Sequence, residues 1–472
     1  MAEKTVAVVG GGAAGLAAAV ACANALSKEA RQGNAADVRI VVYEADERVG
    51  RSILRTGNGR CNYTNSNIGP YGISFPRTGR RQDPEFDQTP PSYRNGDFVE
   101  DVLAQLEHVD GAYRGKRGGA AARGRNAVSL LFEDLGMFYR EEGDGRCYPL
   151  SGKASTVLNL LRRACAKAGV ETVCDTPIER IDPRWADGAG RGADGSEGSG
   201  TAAPSHFLLR AKGGKILRAD VVIVATGGRT ARAMLEGAAG LGYEEPKPVL
   251  GPLALAEKGD VRRLDNIRAK VSASVLRGGE QVAREDGEVL FRKYGISGIV
   301  VFNLSRFAEP GDTLSLRLVS WMGEADLAAF LMGNRKRFSS RFGKQATCED
   351  LVYGILQEPL ADVVLARAGV KGPAVAGKEE VERIARAASH FDFTVEGIGD
   401  EAVAQVRRGG FAVGGSGVRA SDLCVPSAPR LHIVGEALDV DAPCGGYNLH
   451  WAWASGMLAG YRAAQEALAL TR

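Results

Sequence analysis

The first residues of the chain pass from an apolar run through a glycine cluster into a helical pattern. Thr5 to Val9 is a short β-branched run, and the Ala- and Leu-rich segment from Leu16 to Leu26 has the composition of a good helix. The polar residues 27–37, which we interpret as an extended helix end or a loop, lead to the next apolar strand, Val38 to Glu44. This order predicts the strand–turn–helix–strand opening of a βαβ unit.

Apolar segments separated by turns continue the pattern of an α/β protein. A helix is predicted from about Lys153 to Ala168 and a terminal helix over Leu449 to Leu458. Strands are predicted at Glu171 to Cys174, His206 to Ala211, Lys215 to Leu217, Asp220 to Ala225 and Leu431 to Val434. Residues 251–320 alternate Val, Ile and Leu with charged turns and indicate a small β-rich domain, whereas residues 323–390 are Ala-, Leu- and Arg-rich and helical in pattern.

Three segments lack the apolar residues that a core requires. Residues 66–96 are rich in Gly, Pro, Arg and Asn, and residues 112–125 are rich in Gly and Arg. We interpret both as surface loops, the second as a solvated insertion rather than a binding patch. The low-complexity run at 186–204 is expected to be a disordered hairpin tip or linker.

Composition narrows the class of protein and its partners. A chain of 472 residues with 44% apolar residues is expected to fold into two or three structural units. Its formal charge of only +3 offers no large field for a nucleic-acid backbone or an anionic membrane, so a small-molecule substrate is the expected partner. The eight cysteines show no C-x-x-C pair and no zinc spacing, and no signal peptide or membrane span is recognised. We therefore expect reduced thiols, no metal site and a cytoplasmic location.

The glycine cluster has the spacing of a dinucleotide-binding turn. In Gly10-Gly-Gly12-Ala-Ala-Gly15, the first glycine permits a tight turn, Gly12 lets the backbone approach a pyrophosphate and Gly15 lets the helix pack on the strand. Alone the motif is weak, because three-glycine strings arise by chance in a chain with 62 glycines. The position of the motif between a strand and a helix strengthens its interpretation as a nucleotide-binding turn. Glu44, at the end of the next strand, suits a ribose diol and disfavours a 2′-phosphate.

Three later segments favour FAD over NAD. The strand from Asp220 runs into a small-residue turn that ends at Gly228, the kind of segment that passes beside the cofactor in two-domain flavoproteins. Glu436 follows a buried strand, where it either bonds a ribityl chain or caps the strand end. The final helix opens with Gly445-Gly-Tyr-Asn448, and its N–H groups would meet the flavin pyrimidine edge.

These segments carry a resemblance that spans nearly the whole chain. The motifs are Val8 to Gly15, Gly50-Arg51, Thr56-Gly-Asn-Gly-Arg-Cys-Asn62, Tyr148 to Ala154, Tyr294-Gly-Ile-Ser-Gly298, Gly435 to Asp441, Gly445 to Leu449, Trp451-Ala and Ser455-Gly456. With them the chain resembles the BaiN-like (aminoacetone-oxidase-type) family of NAD(P)/FAD-dependent oxidoreductases. The resemblance implies a glutathione-reductase-type, Rossmann-like FAD-binding domain with an inserted β-barrel-like domain and a small helical domain. We place the discontinuous FAD domain at 1–250 and 413–472, the β-rich insertion at 251–322 and 391–412, and the helical domain at 323–390.

The motifs and the resemblance together imply noncovalent FAD and a set of cofactor-binding residues. These are Gly10, Gly12, Ala13, Ala14, Gly15, Glu44, Arg51, Asn58, Gly59, Arg60, Cys61, Asn62, Ala225, Thr226, Gly227, Gly435, Glu436, Gly445, Gly446, Tyr447 and Asn448.

The chain departs from the family pattern at several positions. Ser52 stands where the family has Lys, Asn58 where it usually has Gly, and His450 where it usually has Gln. The ATGG strand continues into Arg229 to Gly237 instead of a loop rich in Ser, Thr and Gly. These changes leave the fold intact and bear on substrate and electron-donor preference.

Several motif residues also have a purely structural interpretation. Arg60 and Asn62 either contact the cofactor or hold a loop through backbone carbonyls. Cys61 and Cys444 are interpreted as packed side chains rather than redox thiols. His450, beside two tryptophans, is interpreted as an interior histidine rather than a general acid. The sequence identifies no catalytic acid or base.

Two classes of function remain open. In the first, FAD takes hydride from NAD(P)H or a small organic substrate and passes electrons to a small-molecule acceptor or dioxygen. The second is a flavin-dependent RNA-modifying or RNA-binding protein, which the near-neutral charge opposes. No second strand-embedded GxGxxG follows residues 10–15, so any NAD(P)H is expected to bind only transiently over the flavin.

Overall fold

A computed structural model describes residues 3–69, 72–73, 92–114, 125–185, 203–228, 230–235 and 240–472. The central parts of the segments predicted as loops at 66–96 and 112–125, most of the low-complexity run at 186–204, and part of the segment from Arg229 to Gly237 lie outside the described residues.

The described strands and helices are numbered here in chain order. The strands are β1 (Lys4–Val9), β2 (Val38–Tyr43), β3 (Thr64–Asn65), β4 (Ile68–Gly69), β5 (Gly72–Ile73), β6 (Tyr139–Glu142), β7 (Arg146–Pro149), β8 (Glu171–Val173), β9 (Ile178–Arg184), β10 (His206–Ala211), β11 (Ile216–Ala219), β12 (Val221–Val224), β13 (Tyr243–Val249), β14 (Leu253–Leu255), β15 (Arg268–Arg277), β16 (Glu280–Arg292), β17 (Gly295–Ser297), β18 (Thr313–Arg317), β19 (Phe391–Ile398), β20 (Val406–Phe411), β21 (Cys424–Val425) and β22 (Ala428–Ile433). The helices are α1 (Ala13–Arg31), α2 (Arg51–Arg55), α3 (Gly96–Arg114), α4 (Ala127–Asp134), α5 (Ala154–Lys167), α6 (Ala231–Met234), α7 (Lys258–Arg263), α8 (Ile299–Leu304), α9 (Glu324–Phe342), α10 (Cys348–Val352), α11 (Glu358–Arg367), α12 (Lys378–Ser389) and α13 (Tyr447–Ala469).

The first of two compact units comprises residues 1–76, 91–247 and 407–472. Its central sheet has the order β21-β22-β12-β1-β2-β8 and is parallel except at β21. Strand β1 lies in the middle, with Val6 opposite Val221 on one side and Ile40 on the other. Such strands are buried on both faces, which explains why their sequences read as continuous apolar runs.

Helices α1 and α13 cover this sheet and pack against each other through small residues. A Cβ atom added at Gly460 would lie 2.2 Å from the carbonyl oxygen of Ala18, so the two backbones approach too closely for a larger side chain. The last segment of the chain thereby completes the unit that the first segment begins.

The second unit comprises residues 248–406. Strands β14-β17-β16-β15-β18-β19 form a closed barrel, which confirms the predicted β-barrel-like insertion. Helices α9 to α12 share one hydrophobic core with the barrel. The finer division of this unit into a barrel domain and a helical domain stays a prediction.

The first helix extends into the polar segment, as one of the two sequence interpretations expects, whereas the end predicted for the last helix was wrong. Helix α1 continues to Arg31, because the polar residues from Ser27 lie on its exposed side and at its end. Helix α13 spans Tyr447–Ala469 rather than ending at Leu458, because the Ala-rich residues beyond Leu458 stay buried along the first unit. No helix among the described residues is long and apolar enough to cross a membrane.

Candidate functional site

The glycine turn after β1 forms the first wall of the candidate site. Gly10 has φ 103°, and its N–H donates a hydrogen bond to the carbonyl oxygen of Tyr43 at 2.8 Å. A Cβ atom at Gly10 would lie 2.6 Å from the carbonyl oxygen of Ala225, and one at Gly15 would lie 1.9 Å from that of Gly10. The turn therefore requires glycine at both positions. It brings β1, α1 and the end of β12 together at one edge of the sheet.

Helix α1 begins at Ala13, with Gly12 as its N-cap residue. The first N–H groups of a helix have no partner within it, and here they belong to the turn that the sequence assigns to a pyrophosphate. The position beside Gly12 is open: the nearest atom to an added Cβ is the Ser52 Oγ at 3.5 Å. The space beside Gly12 is compatible with the predicted approach of a pyrophosphate to the backbone, which stays a prediction.

Glu44 is held beside this turn by two backbone groups. Its Oε2 accepts a hydrogen bond from the N–H of Gly11 at 2.8 Å, and its Oε1 accepts one from Asp46 at 2.9 Å. Each carboxylate oxygen can accept more than one hydrogen bond, so these contacts orient Glu44 and leave it able to bind a ribose diol. Gly11 itself is a site residue that the sequence reasoning did not select.

The end of β12 contributes a buried hydroxyl group. Thr226 follows that strand, and its Oγ1 is buried without a hydrogen-bond partner among the described residues. Gly227 lies next to it, and a Cβ there would lie 3.8 Å from the Glu436 Oε2. The other oxygen of Glu436 accepts the N–H of Arg407 at 2.7 Å. The two predicted segments around residues 226 and 436 are therefore neighbours in the fold.

The start of α13 forms the opposite wall. Gly446 is the N-cap residue, with φ 100°, and an added Cβ would lie 2.4 Å from the Thr64 carbonyl oxygen and 2.9 Å from the Asn62 Oδ1. That Asn62 oxygen is buried and has no partner among the described residues, and the whole residue is 8% exposed. An unpaired buried acceptor costs free energy unless a ligand supplies a donor, so the environment of Asn62 is compatible with its predicted contact to the cofactor, which stays a prediction.

Hydrogen bonds fix the segment that leads into α13. Asn65 donates from Nδ2 to the Gly445 carbonyl oxygen at 2.9 Å, and the Tyr93 hydroxyl donates to the Tyr447 carbonyl oxygen at 2.9 Å. The N–H of Gly435 donates to the Ser455 Oγ at 3.0 Å. Among these, Asn65, Tyr93 and Ser455 were not selected from the sequence, because their roles depend on contacts between distant segments.

Two predicted residues at the helix start use their side chains within the protein. Asn448 accepts the N–H of Ala442 at 2.9 Å and donates to the carbonyl oxygen of the same residue at 2.7 Å. The Tyr447 ring is buried edge-on against Tyr93. Only the backbone N–H groups of Tyr447 and Asn448 remain as the contribution predicted for the helix terminus.

The TGxGRCN segment is a 3-10 turn, Thr56–Gly59, in which Asn58 and Gly59 have positive φ. Arg60 lies over the ring of Tyr148, with 4.1 Å from its guanidinium carbon to the ring centroid, and forms an ion pair with Glu142. The Arg51 side chain pairs with Asp46 at 3.1 Å. These contacts favour a loop-holding role for the two arginines, and their direct contact with a cofactor stays a prediction.

Titratable groups near the site are held in their neutral forms by burial. Cys61 is fully buried, which raises the pKa of its thiol to about 11. His450 is 1% exposed and its Nδ1 lies 2.7 Å from the Thr64 Oγ1, and burial lowers its pKa to about 3. His450 is therefore an interior, uncharged histidine, as the sequence indicates, and all eight cysteines are free thiols.

The candidate site formed by the starts of α1 and α13 fits FAD. Its two walls are helix N-termini reached through glycine turns, and two buried polar atoms, the Asn62 Oδ1 and the Thr226 Oγ1, lack partners among the described residues. Glu44 suits the ribose of an adenosine, and the α13 terminus suits an electron-rich ring edge.

Comparison with known proteins gives matches over the whole chain. The HI0933-like protein Rossmann domain matches residues 124–462. A 3-dehydro-bile acid delta(4,6)-reductase of Clostridium scindens is 28% identical over 97% of this chain and 98% of its own. A ribosomal RNA dihydrouridine synthase of Haemophilus influenzae is 24% identical, with 95% of each chain covered.

Two solved structures are similar to this chain at low sequence identity and low TM-score. A flavocytochrome c3 fumarate reductase in an open conformation covers 98% of this chain and 79% of its own, with 16% identity and a TM-score of 0.40. A 3-ketosteroid delta1-dehydrogenase from Sterolibacterium denitrificans covers 98% of this chain and 100% of its own, with 13% identity and the same TM-score of 0.40.

Proposed function

The chain belongs to the family of the HI0933-like protein Rossmann domain, and from that premise we propose that it is an FAD-dependent reductase of a small molecule with an electron-poor double bond. The resemblance stated from the sequence is confirmed, and with it the class of FAD-dependent oxidoreductase. The substrate, the electron donor and a cytoplasmic location are parts of the proposal.

The observation that carries the proposal is a pair of helix termini in the first unit, each with glycine as its N-cap residue. Helix α1 offers its first N–H groups beside Glu44, and helix α13 offers its own beside the unpaired Asn62 oxygen. A ligand with a pyrophosphate, a ribose and a polar ring system satisfies both ends at once.

The names of two relatives support a substrate with an electron-poor double bond. One is named for reduction of a 3-dehydro, delta(4,6) bile acid and the other for the synthesis of dihydrouridine. Each name describes saturation of a ring double bond near a carbonyl group. We propose the same kind of reaction for this chain, with the identity of its substrate left to experiment.

The residues of this chain would bind and orient FAD rather than take part in the reaction themselves. When bound, FAD supplies the hydride chemistry that such a reduction needs. Glu44, fixed by two backbone N–H groups, holds the adenosine end. The α13 terminus places partial positive charge at the ring edge, and Gly446 leaves room for that approach. Neutral His450 adds no charge there.

Rapid mixing under anaerobic conditions tests the proposal. We expect NADH or NADPH to bleach the flavin, with only a weak preference between them, and a cyclic α,β-unsaturated ketone to restore the oxidised spectrum. The matching saturated ketone is the control and should leave the flavin reduced. Reoxidation by neither ketone, while dioxygen reoxidises the flavin fully, would instead indicate an oxidase.

A second candidate is an RNA-modifying flavoprotein, which the dihydrouridine synthase relatives favour. The formal charge of +3 opposes it, because binding to RNA depends strongly on neutralising phosphates. Filter binding to total RNA at physiological salt separates the two candidates: retention of RNA at submicromolar protein supports the second, and no retention supports the first.

A further inference from the structure

The turn between β16 and β17 in the second unit lines a cavity that no part of the proposed function uses. Five residues surround about 360 Å³: Asp265, Asn266, Arg292, Lys293 and Tyr294. Tyr294 opens the Tyr294-Gly-Ile-Ser-Gly298 motif. We propose that this cavity binds an oxyanion, the carboxylate or phosphate group of a small-molecule ligand of this protein.

The turn that carries the basic residues is built tightly. A Cβ atom at Gly295 would lie 2.0 Å from the carbonyl oxygen of Leu253, so β17 lies directly on β14. The ring of Tyr294 lies against Gly399, where an added Cβ would be 2.8 Å from its Cδ2. Close backbone packing on both sides thus fixes the position of the phenol at the cavity.

The guanidinium of Arg292 is also oriented before any ligand arrives. Its Nη1 donates to the Asn266 Oδ1 at 2.7 Å, and the N–H of Asn266 donates to the Phe291 carbonyl oxygen at 3.0 Å. A guanidinium carries five N–H donors, so this contact leaves others for a ligand. A guanidinium that is already oriented is the side-chain group that best matches the geometry of a carboxylate or phosphate.

Three basic residues elsewhere in the second unit are paired with carboxylates. Arg268 pairs with Glu288, Lys258 pairs with Glu396 and Arg277 pairs with Asp312. Within the part of the chain that the structure describes, Arg292 and Lys293 form no ion pair. Asp265 lines the same cavity, and its Oδ2 accepts a hydrogen bond from the Asn266 amide at 3.5 Å. Two basic side chains and one acidic side chain line the cavity, and Asp400 lies close enough to Tyr294 to interact with it electrostatically.

Two sources of an oxyanion are chemically equivalent at such a site: a phosphate of a nicotinamide dinucleotide and a carboxylate of the substrate. The experiment uses the FAD-loaded, full-length protein and two probes, inorganic pyrophosphate and glutarate, whose binding is measured by calorimetry. An Arg292→Gln/Lys293→Gln variant is compared with a matched Arg268→Gln/Lys258→Gln variant, which removes the same charge from paired positions of the barrel.

We expect at least one probe to bind the native protein and to bind the Arg292→Gln/Lys293→Gln variant at least tenfold more weakly, with the matched variant unchanged. If only pyrophosphate binding is weakened in the Arg292→Gln/Lys293→Gln variant, the ligand bears a phosphate. If only glutarate binding is weakened, the ligand bears a carboxylate. The proposal is overturned if neither probe binds the native protein, or if both variants weaken binding equally. Lys293→Gln alone, at an exposed position, repeats the test should the double variant not fold.

Discussion

Gly456 in the last helix lies directly over Ala14 in the first helix, so that a Cβ atom built at Gly456 would stand 2.2 Å from the Ala14 carbonyl oxygen. Ala14 belongs to the first turn of α1, the turn assigned to the cofactor pyrophosphate. The contact therefore links the C-terminal helix to the position of the dinucleotide turn.

Gly456→Ala is expected to destabilise the first unit. The intrinsic preference of a helix for Ala over Gly is worth about 1 kcal/mol, but a backbone clash of this kind costs about 1–3 kcal/mol and forces α13 away from α1. We expect a net loss in the free energy of unfolding measured with urea, together with weaker FAD retention.

Gly333→Ala in helix α9 is the matched control. An added Cβ there meets only the flexible end of Arg337, at 3.6 Å. This variant should be as stable as the native protein or more stable. Equal stability of the two variants would show that the approach of α13 to α1 does not constrain the fold.

Gly446→Val tests whether the α13 terminus faces the flavin. A side chain there meets the Thr64 carbonyl oxygen and the Asn62 oxygen, so it displaces the helix start. A helix terminus stabilises a nearby negative charge by about 1–2 kcal/mol in a partly buried site. Since about 30 mV corresponds to 1.4 kcal/mol for two electrons, the flavin potential should fall by a few tens of millivolts, FAD affinity should fall, or both. Native potential and native affinity in a folded Gly446→Val protein would contradict this orientation.

His432 and Glu466 predict a dependence of stability on pH. His432 is fully buried on β22, its Nδ1 lies 2.9 Å from the Asp422 carbonyl oxygen and its Nε2 lies 2.8 Å from the Glu466 carboxylate on α13. Burial opposes protonation, but the charge and hydrogen bond of Glu466 outweigh it, and the pKa of His432 is raised. Both ring nitrogens face acceptors, which suits the doubly protonated ring.

A pKa raised by folding means that protonated His432 stabilises the native state. This contribution is complete below the unfolded pKa, about 6.5, and is lost as pH rises through the higher folded pKa. The free energy of unfolding should therefore fall above neutral pH.

Glu466→Gln removes the partner charge and should flatten that pH dependence. Urea unfolding of both proteins at pH 6 and pH 9 measures the difference, and contributions from other groups cancel in the comparison. If the free energy of unfolding of the variant changes with pH as much as that of the native protein, groups other than this pair cause the dependence.

The sequence predicts the parts of the site that depend on local backbone geometry. The turn at Gly10 to Gly15, the acid at Glu44 and the helix start at Gly446 all follow from glycine or charge placed beside a strand or helix. Contacts between distant segments were not predictable. Two examples are the pair of hydrogen bonds between the Asn448 side chain and the Ala442 backbone and the packing of Arg60 on Tyr148. Both depend on the tertiary fold, and no periodic pattern encodes them.

The identity of the cofactor tests the central claim most directly. The purified full-length protein is denatured by heat, and the released flavin is identified by chromatography against FAD and FMN standards. We propose that Glu44 and the turn from Gly10 to Gly15 bind the adenosine and the pyrophosphate, which are contacts that FMN could not use. We predict yellow protein that releases FAD. Recovery of FMN alone, or colourless protein that does not bind added FAD, would contradict the account.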